Sequence, residues 1–292
     1  MEKKVLPYTY EFDINELDAI RACNEDHGFA VVKGLINEEM VEELKADVRR
    51  VLEPTCNPAP GATNVALTFI EESPVMARLL TYEPFMQIAR HLNYNKPMTL
   101  LRSAAIYKKP EAPPMVWHTD WAPREHPYTV DSFLNNLGGS SMWFYLNGTH
   151  PDRAGLAIIP DSHTADWPGP VGFAFMDRRK FFYRKGTEPT PSMELDFPEV
   201  LPLYTDPGDL IIFAEKTYHA VFPHNGSEVR LSCGTGFHST NTASLEIWPK
   251  PDSTRRFIDS CPPEVRPLVE DYTGIDMKWV QDYNQRSAGG TR

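Results

Sequence analysis

The sequence predicts a mostly β protein with flanking helices, a double-stranded β-helix (jelly roll, cupin-like) with N-terminal helices packed on one sheet. Two observations predict this fold. Apolar residues recur at helical spacing in the first third of the chain. From about Met98 the pattern changes to short apolar segments separated by Gly, Pro and Asn. Many short strands punctuated in this way are typical of a double-sheet jelly roll.

The N-terminal part contains three predicted helical stretches. Residues 13–27 have the composition of a helix, and the glycine that follows them is a favoured stop signal. Asn37 can cap a second helix because its side chain can accept a hydrogen bond from the first turn. Apolar residues at helical spacing give this helix a buried face: Val41, Leu44, Val48 and Val51. A third stretch over about 73–92 is expected to break near Pro84.

Short strands are expected in the remainder of the core. The candidates are 29–32, 99–108, 115–120, 141–147, 155–159, 210–214, 217–222 and 229–238. Residues 164–207 form an insertion in this region, and loops of such length in compact domains are usually functional or disordered. The expected organisation is a single domain over 1–292, with a helical part over 1–97, a jelly-roll core over 98–240 that contains the insertion as a lid, and a helical tail over 241–292.

The composition limits the classes of partner. The chain has 292 residues, 41% of them hydrophobic, and a formal net charge of −11. This acidity disfavours binding to nucleic acid or to an anionic membrane, since both are polyanions. The four cysteines form no CxxC pair, and the N-terminus lacks the apolar segment of a signal peptide. We therefore expect a cytoplasmic protein that binds neither nucleic acid nor membrane, with a homodimer through the C-terminal helices left open.

A candidate metal site begins in the segment Val116–Trp121. His118 and Asp120 are two residues apart, so on a strand their side chains point to the same face. A second histidine, His219, is the third candidate ligand and follows a Gly-Asp turn and an apolar strand. Two histidines and one carboxylate on one side of an iron ion form the facial triad of non-haem Fe(II) oxygenases. A lone His-x-Asp or a lone strand histidine is more often structural, so the case depends on the three together.

An arginine near His219 adds to this pattern. Asn225-Gly226 between two apolar strands is a strong signal for a two-residue hairpin turn. Folding about that turn pairs Val221 with Arg230 and His219 with Ser232, and leaves His224 solvated in the turn. In this arrangement Arg230 and Ser232 share a face with His219. A 2-oxo dicarboxylate that chelates iron at one end would then offer its other carboxylate to Arg230, which binds such groups bidentately.

With these motifs the chain resembles the phytanoyl-CoA dioxygenase (PhyH)-like family of Fe(II)/2-oxoglutarate-dependent oxygenases over roughly residues 25–240. The segments that carry the resemblance are the triad, Gly28–Leu35 with the acidic helix after it, Gly155–His163 and Arg230-Leu231-Ser232. In the segment Gly155–His163, Asp161 stands where the family usually has glycine. His163 is interpreted as structural.

The resemblance implies that His118, Asp120 and His219 hold Fe(II) and are the catalytic centre. It further implies that Arg230 and Ser232 bind 2-oxoglutarate, with Tyr107 as another contact to this cosubstrate. The implied reaction consumes dioxygen, releases succinate and CO2, and oxidises a C–H bond of a small organic molecule, most simply by hydroxylation. Specialised metabolite biosynthesis is the expected setting.

The substrate site is predicted from aromatic and basic residues. Trp121 and Trp143 lie near the expected mouth of the site, although aromatic residues are as often part of the core. The insertion carries a basic block that includes Arg178 and Arg179. One hypothesis is a lid whose cations meet an anionic substrate, and the alternative is an ordered surface hairpin with solvated charges.

Two other functions remain open at this point. A cupin-type metalloenzyme that does not use 2-oxoglutarate would share the triad, but it would give Arg230 no reason to face the metal. A catalytically silent jelly-roll binding protein would be expected to lack one of the ligands.

Overall fold

The computed structural model describes residues 4–120, 129–240 and 248–281. The helices α1 to α7 span Leu17–His27, Glu38–Leu52, Pro74–Arg78, Glu83–Leu92, Val130–Leu134, Asp252–Ser260 and Arg266–Val269. The strands β1 to β13 span Glu11–Phe12, Phe29–Val32, Thr63–Ala66, Met98–Lys108, Met115–His118, Ser140–Tyr145, Leu156–Ile158, Phe173–Met176, Phe181–Arg184, Leu201–Pro202, Leu210–Ala214, His219–Val221 and Arg230–Ser239. Among these described helices, none has the length and apolarity needed to cross a bilayer.

The strands form two sheets. The major sheet has the order β1-β2-β11-β6-β13-β4-β3, and the minor sheet has the order β10-β7-β12-β5-β9-β8. Apart from the parallel β1–β2 pair, the strand pairs are antiparallel. The sheets face each other, since the Phe213 ring of the major sheet lies 4.7 Å from the His219 ring of the minor sheet. This arrangement confirms the predicted jelly roll.

The N-terminal helices cover the outer face of the major sheet, as predicted. The Phe85 ring of α4 lies 6.1 Å from Phe144 and 6.4 Å from Phe237, which belong to two neighbouring strands. Asn37 caps α2 by accepting a hydrogen bond of 3.0 Å from Met40 N. The third stretch breaks between α3 and α4, because Pro84 in the first turn of α4 has no N–H to continue the preceding helix.

Two turns keep the helices and the β core in close contact. Gly28 ends α1 with a φ of 80°, and a Cβ there would come within 2.4 Å of the Thr217 hydroxyl oxygen. Asp161 has a φ of 62°, the left-handed conformation that its glycine counterpart in the family would adopt easily. Its carboxylate bonds to His27 Nδ1 at 2.8 Å, which compensates for the strained backbone. His163 Nε2 bonds to Glu25 O at 2.8 Å, in keeping with a structural role.

The hairpin predicted around Asn225-Gly226 does not form. β12 pairs with β5 and β7 in the minor sheet, whereas β13 pairs with β4 and β6 in the major sheet. A type I′ turn needs positive φ at both central residues, and neither of these two residues has it. The N–H of Asn225 donates instead to Asp152 O at 2.9 Å, so the connection is held by another segment.

The pairings derived from that hairpin were therefore wrong. Arg230 lies opposite Lys108 of β4, and Ser232 lies opposite Ile106 of β4 and Tyr145 of β6. His224 is buried rather than solvated, and its Nε2 bonds to Glu228 O at 2.7 Å. The chain crosses from one sheet to the other between His219 and Arg230, so these two residues lie on different sheets of the jelly roll.

The insertion 164–207 forms part of the minor sheet. It contributes the β8–β9 hairpin at one edge and β10 at the other. Its aromatic residues pack on the outer face of this sheet, where Phe182 lies 5.9 Å from Trp117 and 5.2 Å from Tyr218, ring centre to ring centre. Trp117 and His118 are consecutive on β5 and point to opposite faces. The aromatic layer is therefore separated from the metal-site face by the sheet itself.

Truncation of Phe182 tests this structural role. Phe182 is fully buried, so Phe182→Ala is expected to lower the free energy of unfolding by about 3–5 kcal/mol. The matched control is Tyr183→Ala, because Tyr183 lies on the opposite face of the same strand and is only half-buried. Chemical denaturation monitored by circular dichroism measures both variants. Equal stability of the two variants would contradict the aromatic layer.

Candidate metal centre

Three side chains converge on one point: two come from neighbouring strands of the minor sheet, and one comes from the segment that follows β5. His118 ends β5, and His219 begins β12 directly opposite it in the antiparallel register. Their ring centres lie 4.2 Å apart. Asp120 follows β5 by two residues, and its N–H donates to Glu215 O at 2.9 Å. The β5–β12 pairing thus brings together ligands that are about a hundred residues apart in sequence.

The geometry of these three groups suits a metal ion. One ligand atom from each of His118, Asp120 and His219 lies within 4.8 Å of the other two. Asp120 Oδ1 is 3.9 Å from His118 Nε2 and 3.7 Å from His219 Nε2. The Nδ1 atoms of His118 and His219 bond to Val116 O at 2.9 Å and Thr217 O at 3.0 Å. Donation to a carbonyl through Nδ1 leaves each Nε2 lone pair free to coordinate a metal.

The electrostatics of the site favour neutral imidazoles. Burial, and to a smaller extent the neighbouring His219, lowers the pKa of His118. A neutral imidazole is the form that binds a metal. Asp120 is further oriented by Ser141 of β6, whose hydroxyl donates to Asp120 Oδ2 at 3.4 Å. The donor set of two imidazoles and one carboxylate fits Fe(II) and leaves coordination positions for other ligands.

A buried guanidinium lies on the inward face of the major sheet. Arg230 is 3% exposed, and its Nη1 donates to Ser232 Oγ at 2.7 Å. Its guanidinium carbon lies 5.0 Å from the centre of the Tyr145 ring. Its Nε is buried without a hydrogen-bond partner, and no carboxylate in the described part of the chain pairs with it. A buried charge of this kind requires a counter-ion, which the far carboxylate of 2-oxoglutarate would supply.

Two residues beside Arg230 were not predicted to lie next to the cosubstrate site. Lys108 lies opposite Arg230 in the β4–β13 register and is 5% exposed. Burial and the nearby Arg230 lower the pKa of Lys108 to about 8. Tyr145 is also buried, which raises the pKa of its hydroxyl. Side chains alternate between the two faces of a strand, and both residues occupy inward-facing positions of β4 and β6. The sequence alone could indicate these positions only if the strand register was known.

The predicted contact between Tyr107 and 2-oxoglutarate was wrong. Tyr107 lies opposite Leu231, so it is on the other face of the major sheet from Arg230. Its hydroxyl bonds to Glu53 Oε1 at 3.0 Å, next to the end of α2. A shift of one residue along a strand reverses the direction of the side chain, and Lys108 therefore holds the inward position.

The lowered pKa of Lys108 predicts a pH dependence of cosubstrate binding. Above pH 8 this side chain is neutral in the free protein, and the nearby anion site loses a positive charge. The dissociation constant for 2-oxoglutarate is therefore expected to rise with pH above about 8, by up to about tenfold per pH unit. Anaerobic titration of wild type and Lys108→Met from pH 7 to 9.5 measures it. The variant is expected to show a flat profile, and a wild-type profile that is also flat would refute the coupling.

A cavity of about 350 Å³ adjoins the triad at Asp120. Trp143 lines this cavity together with Glu215, Arg102, Phe237 and Trp248, and its contact with a substrate stays a prediction. Burial, and next the Asp120 carboxylate, raises the pKa of Glu215 to about 7. A volume of this size falls in the range of small-molecule sites.

The other predicted substrate residues are not brought to this cavity. Trp121 lies outside the described residues. Arg178 is exposed, and Arg179 donates to Ala165 O at 2.9 Å while stacking on Phe175 at 4.1 Å. Both arginines are in the turn between β8 and β9, and the described lining of the cavity contains neither. They correspond to the ordered surface hairpin rather than to a lid over the metal.

Comparison with known proteins decides the family. Residues 24–232 match the family model for phytanoyl-CoA dioxygenase (PhyH). The chain belongs to the phytanoyl-CoA dioxygenase family. This membership confirms the resemblance, inferred from the motifs, to a family of Fe(II)/2-oxoglutarate-dependent oxygenases. The cofactors of this class are Fe(II), 2-oxoglutarate and dioxygen, as the sequence predicted.

Individual relatives of this phytanoyl-CoA dioxygenase family member are distant. A probable alpha-ketoglutarate-dependent hypophosphite dioxygenase from Stutzerimonas stutzeri is 24% identical over 153 residues, 47% of this chain and 50% of that protein. The chain thus spans about half the length of this curated relative.

Solved structures share the fold. The epimerase SnoN in complex with Fe3+, alpha ketoglutarate and nogalamycin RO has a TM-score of 0.57 at 18% identity, over 90% of this chain and 96% of that chain. HygX from Streptomyces hygroscopicus, with nickel, 2-oxoglutarate and hygromycin B bound, has a TM-score of 0.57 at 17% identity, over 76% of this chain and 87% of that chain.

Proposed function

We propose that this protein is an Fe(II)/2-oxoglutarate-dependent dioxygenase that oxidises, most simply hydroxylates, a C–H bond of a small organic molecule, with release of succinate and CO2. His118, Asp120 and His219 would hold the iron, and Arg230 with Ser232 would hold the far carboxylate of 2-oxoglutarate. The single observation that carries the proposal is the pairing of this triad with a buried guanidinium that has no carboxylate partner among the described residues.

Arg230 also weighs against the two competing functions. A cupin-type enzyme that uses no 2-oxo acid would gain nothing from the desolvation of an arginine inside the jelly roll. A silent binding protein has no need for two imidazoles whose Nδ1 atoms are both fixed by carbonyls and whose Nε2 atoms both point at one carboxylate.

The residues of the chain would position and protect the reacting groups. When iron and 2-oxoglutarate are bound, they supply the oxidising chemistry. The carbonyls of Val116 and Thr217 hold the imidazoles at fixed angles. Ser232 keeps the Arg230 guanidinium in place. The buried interior around Arg230 excludes water, which strengthens the interaction of this guanidinium with a carboxylate.

The substrate would be organic rather than a small inorganic anion. The hypophosphite dioxygenase relative acts on an ion of only a few atoms according to its name. The cavity beside Asp120 is about 350 Å³ and has aromatic walls, which is more space than such an ion needs. The names of several fold neighbours refer to nogalamycin biosynthesis and to hygromycin B, which supports a role in natural product biosynthesis.

Three finer predictions belong to the same proposal. The prediction of an anionic substrate depended on Arg178 and Arg179, and the described lining of the cavity contains Arg102 but neither of these two. The cytoplasmic location and the homodimer stay predictions from the sequence. Light scattering coupled to size-exclusion chromatography measures the molar mass in solution and so tests the homodimer.

Anaerobic titration tests the proposal. Addition of Fe(II) and then 2-oxoglutarate to the purified protein is expected to produce the visible charge-transfer band of the chelate, at one equivalent of each. Admission of dioxygen should then release succinate. A protein that binds Fe(II) but gives no band with 2-oxoglutarate would favour the cupin-type alternative. A protein that binds neither would favour the silent binding protein.

A further inference from the structure

Among the described residues that line the cavity, one carboxylate, that of Glu215, does not belong to the triad. Glu215 lies in the connection between β11 and β12, and its Oε2 accepts a hydrogen bond of 3.2 Å from Gly139 N. Its main-chain N–H donates to Gly139 O at 3.0 Å, and its carbonyl oxygen accepts a hydrogen bond from Asp120 N at 2.9 Å. The backbone on both sides of the carboxylate is thus fixed to the start of β6 and to a metal ligand.

The second oxygen of this carboxylate is available to a ligand. No hydrogen bond to Glu215 Oε1 is recorded within residues 4–120, 129–240 and 248–281. Arg102 lines the same cavity, but it is exposed and forms no ion pair with Glu215 in the described part of the chain. The Gly139 N–H donates to Oε2 only, so a ligand that covers Oε1 costs free energy unless it supplies a donor to that oxygen.

The shape of the cavity follows from the inward positions of β13. Arg230 and Ser232 fill the first two inward positions, whereas the next two are Gly234 and Gly236. Without side chains at these two positions, the interior stays open between Trp143 and Glu215. A Cβ at Gly234 would come within 2.6 Å of the Trp143 ring. The glycines therefore leave room for a ligand and for the indole that forms one wall.

We propose that Glu215 binds the substrate, by accepting a hydrogen bond from an amine or hydroxyl group and thereby selecting the C–H bond that faces the metal. This inference rests on the proposed function and adds the substrate class, which is a molecule with an N–H or O–H donor next to an apolar body. An anionic group at this end of the cavity would lie beside the carboxylates of Glu215 and Asp120, which would repel it. The aromatic walls at Trp143 and Trp248 suit the apolar body, and they also suit an ammonium group.

A purely structural role for Glu215 predicts different behaviour. If the carboxylate served only to accept from Gly139 N, a glutamine would replace it without effect on any ligand. Glu215→Gln keeps an acceptor and removes the charge, whereas Glu215→Met removes both. An ammonium ligand should therefore lose affinity in both variants, and a hydroxyl ligand only in Glu215→Met.

The test uses three probes on one scaffold: 2-phenylethylamine, 2-phenylethanol and 3-phenylpropanoate. Isothermal titration calorimetry measures their binding to the anaerobic Fe(II)·2-oxoglutarate form of the full chain. At least one donor probe is expected to bind wild type about tenfold or more tightly than the propanoate. This preference should disappear in Glu215→Met, and the response of Glu215→Gln then distinguishes amine from hydroxyl. Glu188→Gln, at an exposed site far along the insertion, is the matched control.

Three results would overturn the inference. They are tighter or equal binding of the propanoate, a donor preference that survives in Glu215→Met, and no binding of either donor probe at millimolar concentration. The charge-transfer band of the chelate is recorded for every variant before the probes are added. Loss of the band in wild type counts against the proposed function, whereas an intact band with unselective probe binding counts against the role of Glu215 alone.

Discussion

Replacement of Asp120 by alanine is expected to abolish 2-oxoglutarate turnover. Asp120 is the only carboxylate of the described metal-binding group and faces both imidazoles at less than 4 Å. Mutation of groups that merely support a metal ligand costs about 10–100-fold in affinity or activity. Loss of the ligand itself should therefore cost more than about 100-fold. Succinate release and Fe(II) binding measured by equilibrium dialysis check both effects.

The same variant should fold normally. The Asp120 side chain is 41% exposed, so its removal leaves no buried cavity. The melting temperature of the metal-free variant is expected to stay close to that of wild type. Asp196→Ala is a suitable control because Asp196 is exposed and far along the insertion. Full turnover in Asp120→Ala would show that the iron is held elsewhere.

The parts of the fold that could be predicted depend on short-range signals. The Asn37 cap, the glycine after α1 and the break before α4 are each decided within a few residues by backbone chemistry. The closeness of His118 and Asp120 is also local, because only Thr119 separates them in the chain, although β5 ends at His118. The sequence predicted these features correctly for that reason.

The long-range pairing could not be predicted in the same way. Asn225-Gly226 is a strong local signal for a hairpin, but the strands on either side of it belong to different sheets. β12 pairs with β5 and β7, and β13 pairs with β4 and β6. These four strand pairings together stabilise the chain more than one tight turn would. The wrong register had a limited effect on the site, since Arg230 and Ser232 share a face in either arrangement.

The error at Tyr107 and the omission of Glu215 have separate physical causes. Whether Tyr107 or Lys108 faces the interior depends on which of them lies opposite Arg230 in the register of β4 and β13. No local sequence pattern indicates this register. Glu215 lies in a connection between strands, where periodicity carries no information about direction. Its position at the cavity is set by hydrogen bonds to Gly139 and Asp120, distant residues whose proximity exists only in the folded chain.

Replacement of Arg230 by methionine is expected to weaken 2-oxoglutarate binding without loss of iron. The guanidinium is buried, and its described contacts are a neutral hydroxyl and an aromatic ring. Removal of one partner of a buried charge pair typically costs 2–5 kcal/mol, which corresponds to about 30-fold to several thousandfold in the dissociation constant. Anaerobic titration of the charge-transfer band gives this constant, and Arg256→Met, an exposed arginine, serves as the control.

A cosubstrate that lacks the far carboxylate makes this prediction specific. 2-Oxopentanoate has the same chain length as 2-oxoglutarate and the same chelating end, but no group for Arg230 to bind. Wild type should therefore prefer 2-oxoglutarate by a factor similar to the loss seen in Arg230→Met, and the variant should bind the two acids almost equally. General damage to the site would weaken both acids in parallel and preserve the preference. A preference that persists in the variant would mean that another residue holds the carboxylate, and Lys108, opposite Arg230 on β4, would then be the first candidate.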